Sequence, residues 1–166
     1  MLETASFSLR PATEDDLNSI LEIECKSYPV PWNEEAFKVE IQKPFSHFLV
    51  LTDDKTDSVI AGYIVYWLMF DECHILNVAV CSDWRGLGLA TRLVRKAIDD
   101  AIRKDMQRVF LEVRKSNAQA VALYGKLGFF VDHIKAKFYD DGEDAYFMML
   151  FLQRDNKGLS FIADKP

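Results

Sequence analysis

Residues 83–93, DWRGLGLATRL, place two glycines and an arginine where an apolar strand gives way to an amphipathic helix. Small residues at such a turn let consecutive amide N–H groups face one ligand, beside the positive end of the helix dipole. This chemistry suits a phosphate or pyrophosphate, with Arg85 adding a charge-assisted contact. Two phosphate loops do not fit. A Walker A loop needs Gly-x-x-x-x-Gly-Lys-Ser/Thr, which the chain lacks. A dinucleotide fingerprint needs a third glycine for close helix packing, but Gly86-x-Gly88-x-x ends at Thr91 and follows a mid-chain strand. What remains is Arg85-x-x-Gly88-x-Ala90 after the strand Ile75–Val80, or a turn whose glycines serve geometry alone.

Two further residues have the type for proton chemistry. Alternation over 108–114 sets Val109, Leu111 and Val113 on one face and Phe110, Glu112 and Arg114 on the other, so Glu112 stands within an apolar strand. It reads either as a general base or as a solvated carboxylate paired with a neighbour such as Arg114. Tyr124 falls with Ala120, Leu123 and Leu127 at helical spacing, the pattern of a core ring. Asn117 suits a helix cap. His47, His74 and His133 have no ligand spacing among themselves or with the cysteines, so no metal is expected. Trp67 and Trp84 read as core or rim aromatics, and Arg92, Arg95 and Lys96 as a solvated helix face that could also meet a ribose phosphate.

These residues need a scaffold. Residues 6–10 read as a strand stopped by Pro11, and Thr13-x-x-Asp16 starts a helix running to about Ser27. YPVPW (28–32) cannot be helical; Asn33 caps a second helix, with Trp32 and Phe37 at staple positions. Strands follow at 46–52, 58–70 and 73–81, reading as an antiparallel meander. From Leu89 onward, Ala90, Leu93, Val94, Ala97, Ile98 and Ala101 recur at helical spacing. A strand at 108–114, a helix at 117–127 closed by Gly128, and strands near 129–138 and 144–153 complete the pattern. Strand, helix, strand, helix, strand implies an α/β sheet with parallel strands at its centre and antiparallel flanks.

With 166 residues, 49% of them hydrophobic, the chain suits one domain over 1–154, and 155–166 reads as a loose tail. A net charge of −6 argues against a nucleic-acid-gripping face. Cys25, Cys73 and Cys81 make neither a disulfide framework nor a zinc site, and the N-terminus lacks a signal-peptide pattern. The apolar run Val59–Phe70, broken by Gly62, is too short to span a bilayer. A soluble, cytoplasmic monomer is expected, with no membrane and no direct nucleic-acid partner.

The motifs resemble those of a known family. Arg85-x-x-Gly88-x-Ala90 matches the acetyl-CoA signature of the GNAT N-acetyltransferases. VPWNEEAF (30–37), ILNVAV (75–80), LEVRKSNAQAVALYGKLGF (111–129) and FYDDGEDAYFM (138–148) follow in the order and spacing of the RimI-type ribosomal-protein-alanine N-acetyltransferases and their archaeal N-terminal acetyltransferase relatives. The resemblance spans residues 7–152. It implies the GNAT fold, an α/β (α+β) architecture with a mixed central sheet of about six to seven strands flanked by about four helices.

It also implies roles. Glu112 resembles the general base, acting directly or through a water, and Tyr124 the general acid that protonates the leaving thiolate of coenzyme A. Val78, Ala79 and Val80 would pair with the pantetheine arm. Arg85, Gly86, Leu87, Gly88, Leu89, Ala90 and Thr91 would hold the pyrophosphate, and Asn117 would also contact the cofactor. Trp32 and Tyr139 resemble residues of the loops that flank a peptide N-terminus, though loop packing explains them as well. Relatives often carry Asp-Pro where Cys81-Ser82 stands, a departure confined to the approach to the turn.

The implied function is acetyl transfer from acetyl-CoA to the α-amine of a protein or peptide N-terminus by direct attack in a ternary complex. At pH 7 an α-amine of pKa about 8 loses its proton at a cost of about 1.4 kcal/mol, against about 4.6 kcal/mol for a lysine, which favours the former. Asp140, Asp141 and Glu143 would suit a basic acceptor such as a ribosomal protein. A GNAT enzyme acting on lysine or a small amine, and a non-catalytic acetyl-CoA-binding module, remain as alternatives.

Overall fold

Twelve helices and strands organise the described residues, which in this computed structural model are 6–55, 59–155 and 158–161. They run β1 (Phe7–Pro11), α1 (Leu17–Ser27), α2 (Glu34–Gln42), β2 (Ser46–Asp53), β3 (Ile60–Met69), β4 (Glu72–Val80), α3 (Leu89–Arg103), β5 (Arg108–Arg114), α4 (Ala118–Lys126), β6 (Phe130–Lys135), β7 (Ala145–Asp155) and β8 (Gly158–Phe161). Single 3-10 turns at Glu14–Asp16 and Ser82–Trp84 precede α1 and α3.

The strand order is β1-β2-β3-β4-β5-β7-β6, with β8 paired to β7. β4 and β5 are parallel, while β1–β2, β5–β7 and β6–β7 are antiparallel. This mixed sheet with four α-helices among the described residues is the architecture implied by the sequence. One expectation needs correcting. Residues 158–161 form β8, antiparallel to Leu152–Asp155, rather than a loose tail; residues 156–157 and 162–166 of that segment lie outside the described residues.

Local chemistry sets the element ends. Asn33 accepts the Ala36 amide at 2.9 Å and caps α2, and Trp32 meets Phe37 at 5.3 Å as the staple requires. Before α1, Asp16 accepts two bonds of 2.8 Å from Arg10 and one of 2.8 Å from the Thr13 amide. After α4, Gly128 takes φ +93°, the Phe129 amide reaches the Tyr124 carbonyl at 3.0 Å and the Gly128 amide reaches Gly125 at 3.1 Å. That pair of bonds is a Schellman closure, and it sets the Phe129 ring 5.8 Å from that of Tyr124.

Contacts divide the chain into two compact units, Met1–Tyr66 with Asn77–Val94 and Trp67–Leu76 with Arg95–Pro166. In the first, Phe37 stacks on Phe48 at 5.6 Å and meets Tyr63 edge-on at 5.6 Å, over buried Ile20, Ile23 and Val50. In the second, Val109, Leu111 and Val113 of β5 are buried, as alternation requires, together with Ala97, Ile98 and Ala101 of α3. No helix among the described residues is long and apolar enough to cross a membrane.

Candidate active site

The residues singled out in the sequence fall into two groups, one in each unit. The first gathers around the turn between β4 and α3. Gly86 and Gly88 take φ of +81° and +74°, a region that an L side chain enters only at a cost. A Cβ at either position would meet nothing within 4 Å, so these glycines serve conformation rather than close packing. The Arg92 amide bonds to the Gly88 carbonyl at 3.0 Å, and the amides of Gly86 through Thr91 find no intramolecular acceptor among the described residues. Six consecutive donors at the start of a fifteen-residue helix make a cradle that fits a pyrophosphate.

Side chains brace this turn from below. Arg85 donates through Nε to the Val80 carbonyl at 3.2 Å and through Nη2 to Ser27 Oγ at 3.4 Å, while remaining exposed. The Tyr28 hydroxyl donates to the Val78 carbonyl at 2.5 Å. Two of the three carbonyls in the segment Val78–Val80 therefore already hold internal donors. Gly62 lies so close that a Cβ there would come 2.7 Å from the Ala79 carbonyl oxygen.

Trp32 belongs to this unit, and what holds it was not legible in the sequence. Its amide donates at 2.8 Å to Oε1 of Glu24, a carboxylate only 1% exposed. The same carboxylate accepts from Asn77 Nδ2 at 3.2 Å to each oxygen and from the Tyr63 hydroxyl. Burial and the Glu24 charge push the Tyr63 phenol well up, so it stays a donor.

The second group surrounds Glu112. Its partner is not Arg114: Oε2 lies 2.7 Å from His74 Nε2 and Oε1 lies 2.6 Å from Lys135 Nζ. Burial raises the carboxyl's pKa, but hydrogen bonds and charge from His74 and Lys135 outweigh it and hold the group below the usual glutamate range. An aromatic row crosses four strands here. His74 stacks on Phe110 at 4.3 Å, Phe110 on Phe147 at 5.2 Å, and Phe147 on His133 at 4.6 Å.

Arg114, buried, bonds to Asp141 at 2.7 Å and Glu143 at 2.8 Å and lies 4.0 Å from the centre of the Tyr139 ring. Two of the three acids expected to attract a basic acceptor are thus engaged internally. Burial pushes the Tyr139 phenol up to about 12, with Arg114 opposing and the charges of Glu112, Glu143 and Asp141 adding to it. Tyr124 is buried on α4, and its hydroxyl has no hydrogen-bond partner among the described residues. Burial, with Tyr139 nearby, raises its pKa well above the ordinary tyrosine value, so it carries its proton at neutral pH. Asn117 caps α4, its side chain accepting the Ala120 amide at 3.1 Å.

In the first unit the open amides of Gly86–Thr91 suit an anionic ligand; in the second, Tyr124 keeps its proton and Glu112 is clamped by two cationic partners. The model of the Acetyltransferase (GNAT) family matches residues 17–129. The chain belongs to the GNAT acetyltransferases. As a GNAT enzyme it is an acetyl-CoA-dependent N-acetyltransferase. A Bacillus subtilis (strain 168) protein provisionally named a ribosomal protein bS18-alanine N-acetyltransferase is 37% identical over 136 residues, 81% of this chain and 88% of that protein. An N-alpha-acetyltransferase of Saccharolobus solfataricus is 30% identical over 156 residues, covering 86% of this chain and 91% of its own. The crystal structure of the ribosomal-protein-S18-alanine N-acetyltransferase from Escherichia coli superposes with a TM-score of 0.80 at 30% identity, over 94% of this chain and all of that one.

Proposed function

We propose that this GNAT enzyme acetylates the α-amine of a protein N-terminus, with a ribosomal protein as acceptor, in the cytoplasm. The relatives named for that reaction support the acceptor class. The observation that carries the chemistry is the grouping of a protonated, buried Tyr124 with a charge-clamped Glu112 in one compact unit. Three free cysteines, one of them buried, accord with a reducing compartment.

Bound acetyl-CoA supplies an activated acetyl group. The amides of Gly86–Thr91 and Arg85 would hold its pyrophosphate, the segment Val78–Val80 its pantetheine arm, and Asn117 a further polar contact. Glu112 takes the proton of the incoming ammonium, directly or through a water. Tyr124 gives its proton to the departing sulfur, a role that requires a phenol still protonated at neutral pH. Trp32, its amide held by buried Glu24, and Tyr139, its ring against buried Arg114, are each assigned to contact with the acceptor peptide. An α-amine is the easier substrate because its deprotonation at pH 7 costs about 3 kcal/mol less than that of a lysine.

The test is incubation with acetyl-CoA and peptides that carry either a free or a blocked α-amine, with the acetylated position mapped by mass spectrometry. Modification of the free α-amine is the expected result. Acetylation confined to lysine side chains rejects the proposal.

A further inference from the structure

Glu24 lies on α1 with its carboxylate buried, and donors from three other parts of the first compact unit converge on it. Oε1 accepts the Trp32 amide at 2.8 Å, Asn77 of β4 reaches both oxygens through Nδ2 at 3.2 Å each, and the Tyr63 hydroxyl of β3 bonds to Oε2. All three donors are neutral. Burying a carboxylate without a cation is costly, and an apolar side chain of the same size would fill a helix core at no such cost. What the carboxylate adds is direction, because a hydrogen bond fixes a backbone amide at one distance and angle whereas apolar contact is non-directional.

The backbone so fixed is the end of the segment 28–32. Its first residue is tied by the Tyr28 hydroxyl to the Val78 carbonyl, and its last by the Trp32 amide to Glu24, with the Trp32 ring 5.3 Å from that of Phe37. Between the ties Pro29, Val30 and Pro31 are exposed, and the two prolines restrict that stretch further. Both ties lead to β4, one directly at Val78 and the other by way of Glu24 to Asn77. An exposed apolar segment fixed at both ends meets a ligand without first having to be ordered.

We propose that Glu24 is the positioning residue of the acceptor site: its carboxylate fixes the Trp32 backbone to β4, so that the loop is set for the peptide before the peptide arrives. This rests on the assignment of Trp32 to the acceptor peptide made above. Glu24 touches no reacting atom and moves no proton. Without an acceptor at this position the Trp32 amide turns to water, and the loop gains arrangements among which only a fraction can take the peptide. The apparent affinity for the peptide falls by that fraction, while the chemical step, once the peptide is bound, is unaltered.

The experiment measures kcat and peptide KM at saturating acetyl-CoA, with a free-α-amine peptide that the mapping assay shows to be acetylated. The unaltered enzyme is compared with Glu24→Leu, Glu24→Asp, Glu24→Gln, Trp32→Ala and Ile20→Ala, each checked by thermal melting and coenzyme A calorimetry. Glu24→Asp keeps the charge but withdraws it by a methylene. Glu24→Gln keeps an oxygen for the Trp32 amide and can donate to the Tyr63 oxygen. Ile20→Ala empties a fully buried site on the same helix and reports what lost stability does by itself. Glu24→Leu and Glu24→Asp are expected to raise peptide KM at least about tenfold, with kcat changed by less than about threefold and coenzyme A affinity by less than about twofold. Glu24→Gln holds KM within about threefold of the unaltered enzyme, and Ile20→Ala leaves it unchanged. The positioning role is overturned by a KM unmoved in Glu24→Asp, by Glu24→Gln as impaired as Glu24→Asp, or by an equal rise in Ile20→Ala. The wider reading survives any of these if Trp32→Ala raises KM. A Trp32→Ala enzyme with unaltered KM removes Trp32 from the acceptor site and the role of Glu24 with it.

Discussion

The two units of this chain differ in what they offer a ligand. The first offers backbone: six unpaired amides after Val80, exposed by two glycines at positive φ. The second offers side chains: a glutamate between a histidine and a lysine, and a tyrosine kept protonated by burial. A backbone cradle depends on conformation and is tolerant of side-chain identity, whereas a charge cluster depends on every member. Substitutions should therefore separate binding from turnover according to the unit they fall in.

The largest effect should come from the second unit. Tyr124→Phe removes the proton donor while keeping the ring against Phe129, and we expect kcat to fall about 10²-fold or more with coenzyme A affinity changed by less than about twofold. Steady-state kinetics with calorimetry measures both quantities. Parallel loss of affinity and kcat would erase the division between the units.

Glu24→Ala tests whether the first unit is backbone alone. The substitution strands the Trp32 amide, the Asn77 side chain and the Tyr63 hydroxyl in a buried space. Breaking a buried polar network of this kind costs about 3 kcal/mol of stability, a loss that urea unfolding would measure. A cost below about 1 kcal/mol would show that water replaces the carboxylate without penalty. Gly88→Ala is milder. Its Cβ meets nothing, so the whole cost is the left-handed backbone, about 1–2 kcal/mol, or roughly tenfold in coenzyme A affinity. Turnover at saturating acetyl-CoA should be unchanged.

The same contrast explains what could be read before the structure. The turn was legible because its determinants are local: glycine spacing, the strand before it and the amphipathic stripe after it, with Leu93, Val94, Ala97, Ile98 and Ala101 all fully buried as expected. Asn33, Asn117 and Gly128 were legible for the same reason, since a cap is fixed within a few residues. The partners of Glu112 were not. His74 reaches it only because β4 and β5 are parallel, with His74 opposite Phe110, two residues from Glu112 on the same face. Lys135 reaches it because the β6–β7 register shifts between Val131 and His133. No local pattern encodes either. Glu24 was hidden in another way, since a glutamate on a helix face reads as solvated until the loop carrying Trp32 folds over it.

The smallest effect concerns the clamp around Tyr139, and its sign follows from Glu143. Ser116, through hydroxyl and amide, and then Arg114 hold that carboxyl at about 2, below its ordinary 4.5. A carboxyl depressed by folding stabilises the folded state above its unfolded pKa, and the contribution fades as pH falls from about 4.5 through about 2. Glu143→Gln should therefore lower the melting temperature slightly at pH 6, and the gap from the unaltered enzyme should close as the pH approaches 2. The group lies at the surface, so high salt should shrink the gap as well. Gly88→Ala carries no ionisable change, and any melting shift it causes should be the same at both pH values. A Glu143→Gln gap that persists undiminished at pH 2 would mean that shape rather than charge holds this loop, and the second unit would then resemble the first more closely than its side chains suggest.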